Sequence, residues 1–147
     1  MKEWICGLIG IIGSSIAGLF GGFDAGLVTL IIFMAADYIT GLILAGVFHK
    51  SGKSEDGSLD SKAGWKGLCR KGGTLLVILV ACRLDLLLGS SFIRDAAIIA
   101  FVVNELLSIT ENLGLMGVPI PEVIKNAITA LKNTSNKLIY NVLIKDN

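Results

Sequence analysis

The feature that most constrains this chain is a series of long apolar stretches, the first without any charge. Trp4 to Phe23 contains no Asp, Glu, Lys or Arg, and about twenty residues of helix suffice to cross a hydrocarbon core of roughly 30 Å. Backbone in lipid must satisfy its own N–H and C=O groups, so such a run folds as helix. A second run extends from Ala25 to Phe48, long enough to span with tilt. A third goes from Gly73 to Gly89 and a fourth from about Phe92 to Ile109. Breaks at Gly21-Gly22-Phe23-Asp24 and Ser90-Ser91 join them in pairs. The expectation is an all-α integral membrane protein with about four transmembrane helices as two hairpins, residues 1–48 and 73–112. Ser15-Ile16-Ala17 has the small-x-small form of a signal-peptide cleavage site, but Glu3 beside Lys2 leaves too weakly basic a flank to favour cleavage.

Composition separates this chain from a soluble domain. Of its 147 residues 53% are hydrophobic and only 17% charged, where soluble domains carry about a quarter charged. Most of the charges fall outside the runs. Residues 49–72 hold Lys50, Lys53, Lys62, Lys66, Arg70 and Lys71, with Glu55, Asp56 and Asp60 among glycines and serines. This is a basic exposed loop. Within it, Trp65, Lys66, Arg70 and Lys71 have the spacing of a short interfacial helix at the membrane surface, with a plain solvated loop as the alternative.

Beyond Gly114, the prolines of Gly117-Val118-Pro119-Ile120-Pro121-Glu122 end one helix, and Pro121-Glu122 suits the first turn of another. Residues 113–147 then read as an amphipathic C-terminal helix on the cytoplasmic side. Its apolar positions are Ile124, Ala127, Ile128, Leu131, Leu138, Val142 and Leu143, with Lys125, Lys132 and Lys137 opposite and a break expected between Lys132 and Lys137. Loops rich in Lys and Arg stay cytoplasmic. Four spans place Lys2, the central loop and the tail on that side, so both termini are expected inside.

Ionisable residues within the runs are costly, at about 2.5 to 3.5 kcal/mol each near the bilayer centre. Asp37, Arg83 and Glu105 fall in the second, third and fourth runs at what a residue count puts at similar depth, and Arg83 is the natural partner for a carboxylate. Asp85, two residues from Arg83, points to another side of its helix or reaches the outer surface. In the fourth run Asn104, Glu105, Ser108, Glu111 and Asn112 recur on one helical side. Such a stripe either lines an aqueous path or assembly face, or glues helices together. In the first run Gly10, Ser14, Gly18 and Gly22 repeat every fourth residue, which permits close helix packing within one subunit or between copies.

Several words in this arrangement resemble the toxin-secretion and phage-lysis holin family of Gram-positive bacteria and their phages. They are Gly21-Gly22-Phe23-Asp24, Asp37-Tyr38-Ile39-Thr40-Gly41, Gly67-Leu68-Cys69-Arg70-Lys71, Asn104-Glu105-Leu106-Leu107-Ser108-Ile109 with Glu111-Asn112, and Gly117-Val118-Pro119-Ile120-Pro121. In order and spacing they cover roughly residues 20 to 125. The resemblance implies a protein that accumulates in the bacterial cytoplasmic membrane, forms homo-oligomers and opens lesions that release an endolysin or a large toxin. It implies no catalysis and no cofactor. Family members are often described with three spans, where four runs are counted here.

Two other classes fit intramembrane charge: a small ion channel or transporter subunit, and a non-conducting assembly or anchoring protein. An enzyme is not expected, since the sequence pairs no nucleophile with a base and has no phosphate-cradling glycine loop or metal-ligand cluster. Cys6, Cys69 and Cys82 are too far apart for a ligand motif, and His49 has no second ligand. A net charge of +1, with no basic patch interleaved with aromatics, argues against nucleic acid as a partner.

Overall fold

The computed structural model describes residues 2–144, with side chains as far as Tyr140. Val142 and Leu143, expected on the apolar side of the tail, lie outside the described side chains. Five helices follow in order: α1 Lys2–Leu19, α2 Ala25–Gly46, α3 Ser61–Leu88, α4 Ile93–Leu115 and α5 Glu122–Ile144. Among the described residues there is no strand. By length and composition α1, α2 and α4 can each cross a membrane. α3 carries Lys71, Arg83 and Asp85 among its apolar residues, so it is long but not uniformly apolar.

Local chemistry sets the boundaries. Gly21 and Gly22, at φ of 74° and 98°, turn the chain after α1 through a region that side chains disfavour. Asp24 then accepts the Leu27 N–H at 2.9 Å and caps α2. Asp60 accepts the Lys62 N–H at 2.8 Å and starts α3. α3 ends at Gly89 in the left-handed conformation, its N–H donating to the Asp85 carbonyl, which is a common helix stop. The interfacial helix expected around Trp65–Lys71 is not a separate element. It is the first third of α3, which continues through Gly72-Gly73 without interruption. α5 likewise runs unbroken past Lys132 and Lys137.

α2, α3 and α4 form a bundle, with the most extensive interface between α2 and α4. Its core is Leu27, Leu30 and Met34 from α2, Ile78 from α3, and Ile98 and Val102 from α4. These fall at three- and four-residue intervals, one face per helix. Arg94 meets Asp24 near the starts of α4 and α2, while Asn112 meets Asp37 and Thr40 farther along both. α2 and α4 therefore run parallel. α3 runs against them, with Lys71 level with Asp37 and Glu105 and Asp85 beside Arg94.

α1 and α5 differ in how they relate to this bundle. α5 packs on α4, burying Ile128 and Ser135. α1 has no buried residue. Cβ atoms placed on Gly10, Gly18 or Gly22 would meet nothing within 4 Å. The small-residue stripe of Gly10, Ser14, Gly18 and Gly22 thus does not pack α1 against α2 within the chain.

Candidate functional site

Two charged clusters occupy the two ends of the bundle. At the starts of α2 and α4, Arg94 is buried and its Nη1 donates to Asp24 Oδ2 at 2.6 Å. Its Nε donates to the Phe20 carbonyl at 2.7 Å and its Nη2 to the Gly22 carbonyl at 3.2 Å, so the guanidinium fills the turn between α1 and α2. A Cβ on Gly21 would come within 3.2 Å of Cys82 Sγ and 3.6 Å of Arg94 Nε, which adds a steric reason for glycine there. The Arg94 hydrogen bond, and after it the Leu27 N–H, hold the Asp24 carboxyl below its ordinary value of 3.8.

Asp85 belongs to this end. It accepts the Ser90 hydroxyl at 2.5 Å and the backbone N–H groups of Ile93 and Arg94 at 3.1 and 2.8 Å. Those are unsatisfied donors at a helix start, so Asp85 caps α4 from the end of α3. It lies at the Gly89 end of α3, and its carboxylate is engaged by Ser90 and by backbone at the start of α4.

About 20 Å along the bundle, by the rise of 1.5 Å per residue from Asp24 to Asp37, lies the second cluster. Lys71 Nζ stands 2.8 Å from Asp37 Oδ2 and 2.5 Å from Glu105 Oε2. The three side chains are 13%, 9% and 7% exposed. Asn112 Nδ2 donates to Asp37 Oδ1 at 3.3 Å and to Thr40 Oγ1 at 3.1 Å. One ammonium thus joins α2, α3 and α4.

This corrects the expected pairing. Arg83 is exposed on α3, and among the described residues it has no salt bridge to Asp37 or Glu105. Its depth explains why. α3 and α4 form a hairpin turning at Gly89-Ser90, so Arg83 comes level with the first turn of α4 and Lys71 with Glu105. Arg83 stands about 18 Å from Lys71 along α3. Lys71, read with Trp65, Lys66 and Arg70 as a surface residue, is the one of the four drawn into the bundle; the other three remain exposed.

A cleft of about 790 Å³ opens from this triad toward the 49–60 loop, between α2, α3 and α4. All five residues of the α4 stripe, Asn104, Glu105, Ser108, Glu111 and Asn112, line it. Glu105 and Asn112 are buried and engaged in the triad, whereas Asn104 and Glu111 are exposed. The stripe is therefore divided, with two members joining helices and the others edging the cleft. The loop closes one side. Lys53 and Asp60 line the cleft, and Lys50 donates to the Leu115 carbonyl at 3.4 Å, holding the loop to the end of α4.

The chain matches the model of the bacteriophage holin family over residues 14–133, from the second half of α1 well into α5. It is 40% identical over 123 residues to an uncharacterised protein of Listeria monocytogenes, covering 83% of this chain and 81% of that one. It is 40% identical over 124 residues to an uncharacterised 14.9 kDa protein in the nagH 3′ region of Clostridium perfringens, covering 83% and 88%. The probable holin of Bacillus phage phi105 is 31% identical over 109 residues, covering 74% of this chain and 75% of its own. No solved structure matches. Apolar helices, a buried ion triad joining three of them and a match across most of the chain lead to one conclusion: this is a membrane protein that belongs to the bacteriophage holin family.

Proposed function

We propose that the chain is a holin of the bacterial cytoplasmic membrane that oligomerises and opens lesions through which an endolysin or a large toxin leaves the cell. The observation that carries this reading is the family match over residues 14–133, which includes the triad and its cleft. Two parallel helices that both cross a bilayer need a return between them, and the apolar part of α3 supplies it. Four spans follow, with the Arg94 cluster at the outer surface, the cleft opening inward and both termini cytoplasmic. This orientation keeps every Lys and Arg but Arg83 and Arg94 at the inner side.

In the mechanism we infer, Lys71 holds Asp37 and Glu105 within the packed subunit, and assembly with other copies parts the three and gives them to water. Pairing makes each charge tolerable in the bundle, and water makes separation tolerable in the lesion. Asp37→Leu and Glu105→Leu are each expected to shift the time of lysis while membrane insertion persists. Unchanged timing in both replacements removes the triad from the mechanism.

The reading itself is tested by inducing the chain in cells that hold a cytoplasmic endolysin. Abrupt lysis with loss of a cytoplasmic enzyme of tens of kilodaltons is expected. Potassium efflux with that enzyme retained would indicate an ion channel, and an intact membrane would indicate an anchoring protein.

A further inference from the structure

A lesion wide enough for a folded enzyme needs a wall that is apolar toward lipid and polar toward water, as in water-filled membrane barrels. Most of the helices lack an outward polar face of that length. On α1 the hydroxyls of Ser14 and Ser15 turn back to the Ile11 carbonyl. On α2, Thr29 does the same to Ala25, and Asp37 is buried in the triad. α4 turns Glu105 and Asn112 inward and exposes Asn104 and Glu111, a polar stretch of only about 10 Å. α3 offers Arg83 on an otherwise apolar outer half.

α5 is built differently. Ile128, Leu131, Ser135 and Leu138 recur every three or four residues and are its buried or half-buried positions. This seam lies against α4, where Leu107 and Thr110 meet Ile128 and Thr129 across a shallow depression. Lys125 and Thr129 edge that depression, and on the side away from α4 Asn126, Asn133, Asn136 and Lys137 are all exposed. They form a continuous polar face along the helix. With 23 residues, α5 is about 34 Å long, enough to cross the hydrocarbon core. Its partner α4 is itself a candidate span. A helix seated along a span with asparagines and a lysine outward is stable at that depth only where water meets the outer face.

We propose that α5, cytoplasmic in the resting subunit, enters the bilayer along α4 as the lesion opens and forms its water-facing wall, its apolar seam on α4 and its Lys-Asn face toward the lumen. This rests on the lesion-forming reading above and names the segment that makes such a lesion hydrophilic. α4 backs α5, the parted triad shares the water of the lumen, and the apolar faces of the helices behind face lipid.

The test uses the full chain with Cys6→Ala, Cys69→Ala and Cys82→Ala, carrying one of Val123→Cys, Ala130→Cys or Lys137→Cys, each labelled with an environment-sensitive fluorophore. These positions lie on one flank of α5, and the outer two are about 21 Å apart. The protein is reconstituted in phosphatidylethanolamine–phosphatidylglycerol vesicles holding a dextran of tens of kilodaltons, and label depth is read with brominated lipids. In vesicles that release dextran, the Ala130→Cys label is expected deepest, with the other two toward opposite surfaces. Dextran release with all three labels at one shallow depth overturns the wall assignment and leaves the lesion reading standing. Ion leakage without dextran release overturns both.

A second measurement guards against misfolding. The triple variant Asn126→Leu, Asn133→Leu, Asn136→Leu is expected to lower dextran release roughly tenfold or more at equal membrane insertion, since an apolar face resists exposure to water. Asn133→Gln should retain release. A helix lying flat on the surface predicts unchanged or greater release from the triple variant, and that result also overturns the assignment.

Discussion

The two charged clusters use similar side chains to opposite ends. At the Arg94 end the principal ties reach backbone: the guanidinium holds the carbonyls of Phe20 and Gly22 as well as Asp24 and Asp95, and Asp85 holds the first N–H groups of α4. At the Lys71 end the ties run between side chains, one ammonium faces two carboxylates, and a cleft leads away from them. Backbone ties fix a fold, because breaking them strands groups that cannot relocate. Side-chain ties with an excess of one charge can be exchanged for water. One end is a joint and the other a catch.

The contrast is broken most directly at Lys71. Lys71→Met leaves two carboxylates buried together, and removing one partner of a buried pair costs about 3 to 5 kcal/mol. Detergent-solubilised protein should lose thermal stability accordingly; stability equal to the parent would mean that Lys71 does not hold the bundle. Arg94→Lys keeps the charge but loses the planar fork that reaches Asp24 and two carbonyls at once. A loss of about 1 to 3 kcal/mol is expected from the same measurement, on the scale of hydrogen bonds to charged groups, with protease sensitivity appearing at the Gly21-Gly22 turn.

Arg83→Leu sharpens the assignment of partners. Since Arg83 is exposed and outside the triad, its replacement should change stability by no more than about 0.5 kcal/mol. A loss matching that of Lys71→Met would restore the pairing that a residue count suggests. The smallest effect concerns pH. Asp24 is half exposed and its folded value lies below 3.8. Its contribution is present above 3.8 and disappears as pH falls through the lower folded value. A slight loss of stability in acid, absent from Asp24→Asn, is the expected observation.

Much of this molecule can be read from its sequence because a bilayer punishes ambiguity. The apolar runs yield α1, α2 and α4 to within a few residues, with α4 extending six residues past Ile109, and the polar stripe of the fourth run does converge on one cleft. The partner of Asp37 and Glu105 is harder to see. Lys71 sits beside Lys66 and Arg70 among glycines, a context that reads as membrane surface, while Arg83 sits among leucines and valines. Depth decides the matter, and depth comes from hairpin register. Asp85 and Ser90 mark the turn, from which Lys71 comes level with Glu105. The behaviour of α5 was hidden for another reason: amphipathicity tells which side is apolar but not what covers it.

Lys71 is separated by 34 residues from Asp37 and by 34 from Glu105, and this symmetry bears on biogenesis. When the ribosome delivers α3, Asp37 is already in place and Glu105 is still to be made. Asp37 and Lys71 can therefore enter the membrane as a neutral pair before Glu105 exists. Only the arrival of α4 brings the unmatched carboxylate, so the excess charge is installed last, into a site that its two neighbours have already built.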